Sequence, residues 1–203
     1  VIFTMGKGGV GKTTIAAAIA MALADKGKKV HLATTDPAAH LQFVISETDK
    51  ISVSHIDEEK ELADYQSEIL TKARETMSEE DVAYVEEDLR SPCTQEIAVF
   101  RKFAEIVEGA DSDVVVIDTA PTGHTLRMLQ LPSAWSNFMD ENTTGASCLG
   151  QLSGLGDKKE IYEHAVATLA DGAKTTLMLV TRPQKAPLLE ADRASKELQE
   201  IGI

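Results

Sequence analysis

Short apolar runs alternate with amphipathic stretches along most of this chain, and the alternation predicts an ordered series of strands and helices. Val1 to Thr4 is a β-branched and aromatic run that reads as a buried strand, and Thr13 to Asp25 carries Ile15, Ile19 and Leu23 at helical spacing. Lys29 to Thr34 reads as a second strand that stops at Asp36-Pro37. Leu62 to Val85 has the spacing of one or two amphipathic helices, and Thr94 to Val107 of another, with Ile97, Phe100, Ala104 and Val107 on one face. Asp113 to Ile117 is a buried strand ending in Asp118, Ile161 to Leu169 a helix, Thr175 to Val180 a strand, and Pro187 to Gln199 a helix entered through its proline. Ser133 to Gly156 is polar and Gly-rich without a clear period, and reads as a loop or a short broken helix. This order predicts an α/β fold: a mostly parallel sheet with helices on both faces, right-handed crossovers and ligands at the carboxyl ends of the strands.

One segment between the first strand and the first helix changes the picture. Gly6-Lys7-Gly8-Gly9-Val10-Gly11-Lys12-Thr13 is a complete phosphate-binding loop in the structural context that such a loop needs. Its backbone N–H groups turn inward around a phosphate with the positive end of a helix dipole behind them. The pattern assigns the Lys12 ammonium to the β- and γ-phosphates and the Thr13 hydroxyl to Mg²⁺, with Gly6, Lys7, Gly8, Gly9, Val10, Gly11, Lys12, Thr13 and Thr14 as the nucleotide-contacting set. Asp118 follows four apolar β-formers, and a carboxylate at that strand end can bind Mg²⁺ directly or through water. Asp36 also ends a strand. Its spacing is compatible with orienting an attacking water or with capping a turn.

Composition narrows the class. With 203 residues and 43% hydrophobic content, the expectation is one domain with one substantial core. Residues 57–110 are read as a helical insertion between core strands, and the chain, which starts without Met inside a strand, reads as trimmed at both ends. The net charge of −13 argues against a nucleic-acid surface. Much of it lies in Asp57 to Leu89, where thirteen acidic residues face three basic ones, the pattern of a solvated helical face. No apolar run approaches a membrane span and no signal-peptide pattern is present, so a cytoplasmic location is expected. Cys93 and Cys148 cannot form a disulfide scaffold; they read as small core residues or as part of a soft-metal site. The isolated histidines read as structural.

Three segments together resemble a known family. Lys7 to Thr13 reproduces the Lys-Gly-Gly-x-Gly-Lys-Thr pattern of deviant Walker A ATPases within the P-loop NTPase class. Asp118-Thr119-Ala120-Pro121-Thr122-Gly123-His124-Thr125-Leu126-Arg127 resembles the second switch of the arsenical pump-driving ATPases and of their relatives that target tail-anchored membrane proteins, and Thr35-Asp36-Pro37-Ala38 resembles the first switch. The resemblance runs through nearly all 203 residues. It implies ATP and Mg²⁺ as ligands, Asp36 as the group orienting the attacking water, Asp118 at the metal, and Lys7 reaching the nucleotide of a second half or homodimer subunit. The segments around Cys93 and Cys148 resemble the cysteine segments of the arsenical pump ATPases, which implies a trivalent arsenic or antimony site made by Cys93, Cys148 and His124, with Ser91 a weaker candidate. It also implies a membrane efflux pump as partner, and through it a peripheral membrane association. Two alternatives remain open. The first, a carrier of tail-anchored proteins, needs Met- and Leu-rich amphipathic helices. The second, an iron–sulfur reductase of the nitrogenase type, shares the loop but not the Thr-Ala-Pro-Thr-Gly-His switch.

Overall fold

A computed structural model describes residues 1–36, 41, 45, 48–109, 111–119 and 159–200. Among these residues five parallel strands form one sheet in the order β3-β2-β4-β1-β5: β1 Ile2–Met5, β2 Val30–Thr34, β3 Ile51–His55, β4 Val114–Asp118 and β5 Thr176–Leu179. The helices are α1 Lys12–Asp25, α2 Glu58–Thr76, α3 Glu79–Asp88, α4 Pro92–Gly109, α5 Lys159–Ala170 and α6 Lys185–Glu200. The expected α/β architecture is what forms, and each predicted strand and helix among the described residues is present. The sequence reading missed β3, although Ile51-Ser52-Val53-Ser54-His55 alternates with period two as a half-covered edge strand does. Leu62 to Val85 resolves into two helices because Ser78 caps α3, accepting from the Asp81 N–H at 3.2 Å. Ser133 to Gly156 lies outside the described residues.

Both faces of the sheet are covered, so successive residues of one strand enter different cores. Val116 packs with Val30, Leu32 and Ile51 beneath α1, whereas Val115 and Ile117 pack with Phe3, Met5 and the residues of α4. The buried face of α1 is built from Ala16, Ala17 and Ala20, with Ile19 and Leu23 partly buried at its side and Ile15 exposed. The helix that the spacing of Ile15, Ile19 and Leu23 predicts thus forms, with its sheet-facing stripe made by the neighbouring alanines, which lack bulk and let the helix lie close on the sheet.

The opposite layer is aromatic. Phe103 lies 5.6 Å from Phe3 and 6.1 Å from Phe100, and Phe100 lies 5.9 Å from Tyr162 of α5, measured between ring centroids. Arg101 of α4 donates to Glu68 Oε2 of α2 at 2.8 Å and stacks over the Tyr65 ring at 4.9 Å, tying α2 to α4. Among the acidic residues of the segment, Glu58, Glu59 and Glu61 fall in the first turn of α2 and Glu79, Glu80 and Asp81 in that of α3, where the helix dipole favours negative charge.

Candidate functional site

The strand order sets the site. β4 lies between β1 and β2, and its last residue, Asp118, is in register with Thr4 on one side and Thr34 on the other. The loop leaving β1, the carboxylate ending β4 and the segment leaving β2 therefore converge at one edge of the sheet.

The loop begins with a close approach. Gly6 has φ +153°, and a Cβ there would meet the Val180 carbonyl oxygen at 2.2 Å. Val180 in turn donates its N–H to the Met5 carbonyl at 2.7 Å, so the start of the loop is pressed against the end of β5. At the other end Gly11 sits at the N-cap of α1 in the left-handed region, φ +102°, where it supplies no capping side chain. The first turn of α1 also lacks acidic residues. An uncapped helix start without local negative charge presents its amides and dipole to an anion.

Lys12 is 5% exposed, and its ammonium donates to the Lys7 carbonyl at 3.4 Å, so a cation is folded back under the loop. Lys7 itself is exposed at the rim, as are Gly8 and Gly9. Thr13 Oγ1 donates to Asp118 Oδ2 at 2.7 Å. Thr4 Oγ1 reaches Asp118 Oδ1 and Thr34 Oγ1 reaches Asp118 Oδ2, both at 3.4 Å. Asp36, two residues past the end of β2, donates its backbone N–H to Thr34 Oγ1 at 3.1 Å. Thr119 ties the β4 end back to β1, its hydroxyl donating to the Thr4 carbonyl at 2.9 Å.

Burial raises the Asp118 carboxyl above the ordinary carboxylate range. The Thr13 hydroxyl, the Lys12 ammonium and the Thr4 hydroxyl lower it, while the nearby Asp36 charge raises it further. Two carboxylates thus share a pocket edge with one buried ammonium, an imbalance that a divalent cation would relieve. The donor set fits Mg²⁺: Thr13 spends its single proton on Asp118 and keeps its oxygen lone pairs, and Asp118 is a hard carboxylate ligand.

The structure accordingly brings together Gly6 to Thr14, Asp36 and Asp118. It does not address the soft-metal set. Cys93 lies in the first turn of α4 with its side chain outside what is described, and His124 and Cys148 lie outside the described residues. Among the described residues no group of three or more His, Cys, Asp or Glu side chains is placed to hold a metal ion. Thr4, Thr34 and Thr119 escaped the sequence reading. Their signal is hydroxyl residues at the carboxyl ends of otherwise apolar strands.

Fold and site define a P-loop NTPase-type nucleotide-binding protein of the α/β class. The chain belongs to the anion-transporting ATPase family, whose model matches residues 1–203. An arsenical pump-driving ATPase from Escherichia coli is 41% identical over all of this chain, which spans 37% of that relative's length. A putative arsenical pump-driving ATPase 2 from Aquifex aeolicus is 31% identical, with the whole chain covering 76% of it. The ATPase GET3 of Candida glabrata is also 31% identical, over 97% of this chain and 67% of its own length.

Proposed function

We propose that this chain is the nucleotide-binding part of a Mg-ATP-hydrolysing ATPase that energises efflux of arsenite or antimonite through a membrane pump. The observation that carries the ATPase reading is the Thr13–Asp118 hydrogen bond at 2.7 Å beside the buried Lys12 and the Asp36 backbone, all at one edge of the sheet. The pump reading rests on the similarity to arsenical pump-driving ATPases.

Phosphoryl transfer asks the protein for positioning and charge neutralisation. In this reading the amides of residues 8–14 cradle the phosphates, and Lys12 neutralises charge on the β- and γ-oxygens. Thr13 and Asp118 hold Mg²⁺, which supplies Lewis-acid stabilisation of phosphate charge when bound. Asp36 orients the attacking water as a general base or hydrogen-bond acceptor. Lys7, exposed at the loop rim, supplies positive charge to the nucleotide of a facing half or homodimer subunit. Cys93, Cys148 and His124 make up the metalloid site, since thiolates suit trivalent arsenic and antimony. The protein works in the cytoplasm, peripherally attached through the pump. No helix among the described residues is long and apolar enough to cross a membrane.

The test is ATPase rate against antimonite concentration in the intact protein. Lys12→Ala is expected to remove hydrolysis, and unchanged turnover in that variant would end the ATPase reading. Antimonite is expected to stimulate hydrolysis, and by linkage ATP must tighten antimonite binding by the same factor. Stimulation should be lost in the Cys93→Ser, Cys148→Ser double variant while basal turnover survives. Equal stimulation in wild type and double variant would favour the second reading, a targeting ATPase for tail-anchored proteins, which the similarity to ATPase GET3 supports.

A further inference from the structure

Thr34 ends β2 and is 1% exposed. Its hydroxyl makes two contacts of opposite sense: it donates to Asp118 Oδ2 at 3.4 Å and accepts the Asp36 N–H at 3.1 Å. A threonine hydroxyl has one proton to give and lone pairs to receive, so both contacts can exist at once. One oxygen atom therefore joins the carboxylate that Thr13 holds to the backbone of Asp36, two residues beyond the end of β2.

The two contacts differ in strength. The accepted bond has an ordinary length, whereas the donated one is long, so the hydroxyl is anchored on Asp36 and only loosely engaged with Asp118. Thr4 makes the instructive contrast. Its hydroxyl approaches the other carboxylate oxygen, Asp118 Oδ1, at 3.4 Å, and its further contact is the Ile117 carbonyl at 3.5 Å, on β4 itself. Both threonines touch Asp118, but Thr34 is the one that carries the contact on to Asp36.

We propose that Thr34 is a positioning residue whose hydroxyl links the Asp36 backbone to the Asp118 carboxylate, so that the placement of Asp36 follows the engagement of Asp118. This rests on the ATPase reading for its consequence, since Asp36 is there the water-orienting group and Asp118 the metal-side acid. A cation that draws on Asp118 changes the acceptor available to Thr34, and the hydroxyl transmits that change to the Asp36 N–H. The linkage makes hydrolysis competence depend on a filled metal site rather than on nucleotide alone.

The experiment compares wild type, Thr34→Val, Thr34→Ser and Thr4→Val in the intact protein, using residue-resolved amide hydrogen exchange together with ATPase kinetics. Valine keeps the branched shape and strand preference of threonine but lacks the hydroxyl. In Thr34→Val the Asp36 amide should exchange about tenfold faster than in wild type, the equivalent of one ordinary hydrogen bond. Its protection should also no longer respond when Mg²⁺ is added to the ADP-bound protein. The kcat should fall about 10- to 100-fold with KM for ATP within about twofold, the mark of an interaction used in the transition state. Thr34→Ser should restore both readouts, and Thr4→Val should leave Asp36 protection at the wild-type level.

Asp36 exchange that is equal in Thr34→Val and wild type would overturn the proposal, as would equal acceleration by Thr4→Val or failure of serine to rescue. Should Thr34→Val not fold, the wild type decides: Asp36 protection that does not differ between ADP with Mg²⁺ and ADP with a chelator also overturns it. Failure of the ATPase reading is separately visible, because it appears as undiminished hydrolysis in Lys12→Ala and leaves the exchange comparison intact.

Discussion

Gly6→Ala is expected to destabilise the fold itself, not only the phosphate loop. The added Cβ would lie 2.2 Å from the Val180 carbonyl oxygen and 3.2 Å from Val10 Cγ2. A carbon and a carbonyl oxygen rest comfortably at about 3.3 Å or more, so the two backbones must separate by roughly 1 Å. That movement acts directly on the Val180 N–H bond to the Met5 carbonyl at 2.7 Å, the last backbone link between β1 and β5. Its loss costs about 1 kcal/mol, and holding alanine at φ +153° costs about 1–3 kcal/mol more. Together these give about 2–4 kcal/mol, a large share of a typical total of about 5–15 kcal/mol. For a domain of this size the melting temperature should fall by about 4–16 °C, and the urea midpoint with it. Gly8→Ala is the control, since a Cβ at Gly8 meets no atom within 4 Å. It should leave stability within about 0.5 kcal/mol of wild type, so that any loss of nucleotide affinity reports on phosphate binding. Equal melting temperatures for Gly6→Ala and Gly8→Ala would refute the argument that the loop is pressed against β5.

Two further outcomes follow from ionisable groups that folding withdraws from water, His31 partly and Asp118 wholly. His31 donates and accepts across to Ser52 and Ser54 at 2.9 and 2.8 Å, and burial lowers its pKa below the usual histidine value. Its neutral form is the one the fold prefers, so its contribution is present above about pH 6.5 and is lost as pH falls through the lowered folded pKa. The urea midpoint should therefore decline from pH 6.5 towards pH 5 more steeply in wild type than in His31→Gln, and identical slopes would contradict it. Asp118→Asn should abolish Mg-dependent hydrolysis while leaving the nucleotide-free protein at least as stable at pH 7, because burial disfavours the charged carboxylate that the amide replaces. A lower melting temperature for Asp118→Asn would show that the carboxylate is held chiefly by its hydrogen bonds.

Strand-forming runs were legible because each is short, apolar and bounded by turn residues, and the phosphate loop because its glycines, lysine and threonine occur in fixed order between a strand and a helix. β3 was not, because Ser52 and Ser54 alternate with only two apolar residues, Ile51 and Val53, before His55 ends the strand, and so short an edge strand gives little hydrophobic signal. The packing face of α1 was not legible for a different reason. Counting large apolar residues favours Ile15, Ile19 and Leu23, yet close packing on a sheet rewards the small side chains of Ala16, Ala17 and Ala20. At the site, Asp118 stood out as an acid after four apolar residues, whereas Thr4 and Thr34 looked like ordinary strand formers. A threonine serves both as a β-branched packing residue and as a hydroxyl, and sequence alone does not say which property is used.

Register explains why those hydroxyls matter. Side chains alternate faces along a strand, so a slip of one residue in β4 would exchange Asp118 for Ile117 at the position opposite Thr4 and Thr34. Such a slip would exchange one apolar β-branched residue for another in both cores but would draw Asp113 into the partly buried place of Val114. The register of β4 between β1 and β2 thus sets the carboxylate where three threonine hydroxyls can reach it. The same packing leaves Asp118 wholly buried and its charged form disfavoured. A fold optimised for stability alone would place an amide or a hydroxyl there. Retaining a desolvated carboxylate beside Asp36, with Lys12 as the near cation, keeps the site short of positive charge, and in the proposed Mg-ATP reading that shortage would draw the divalent cation to the phosphate loop.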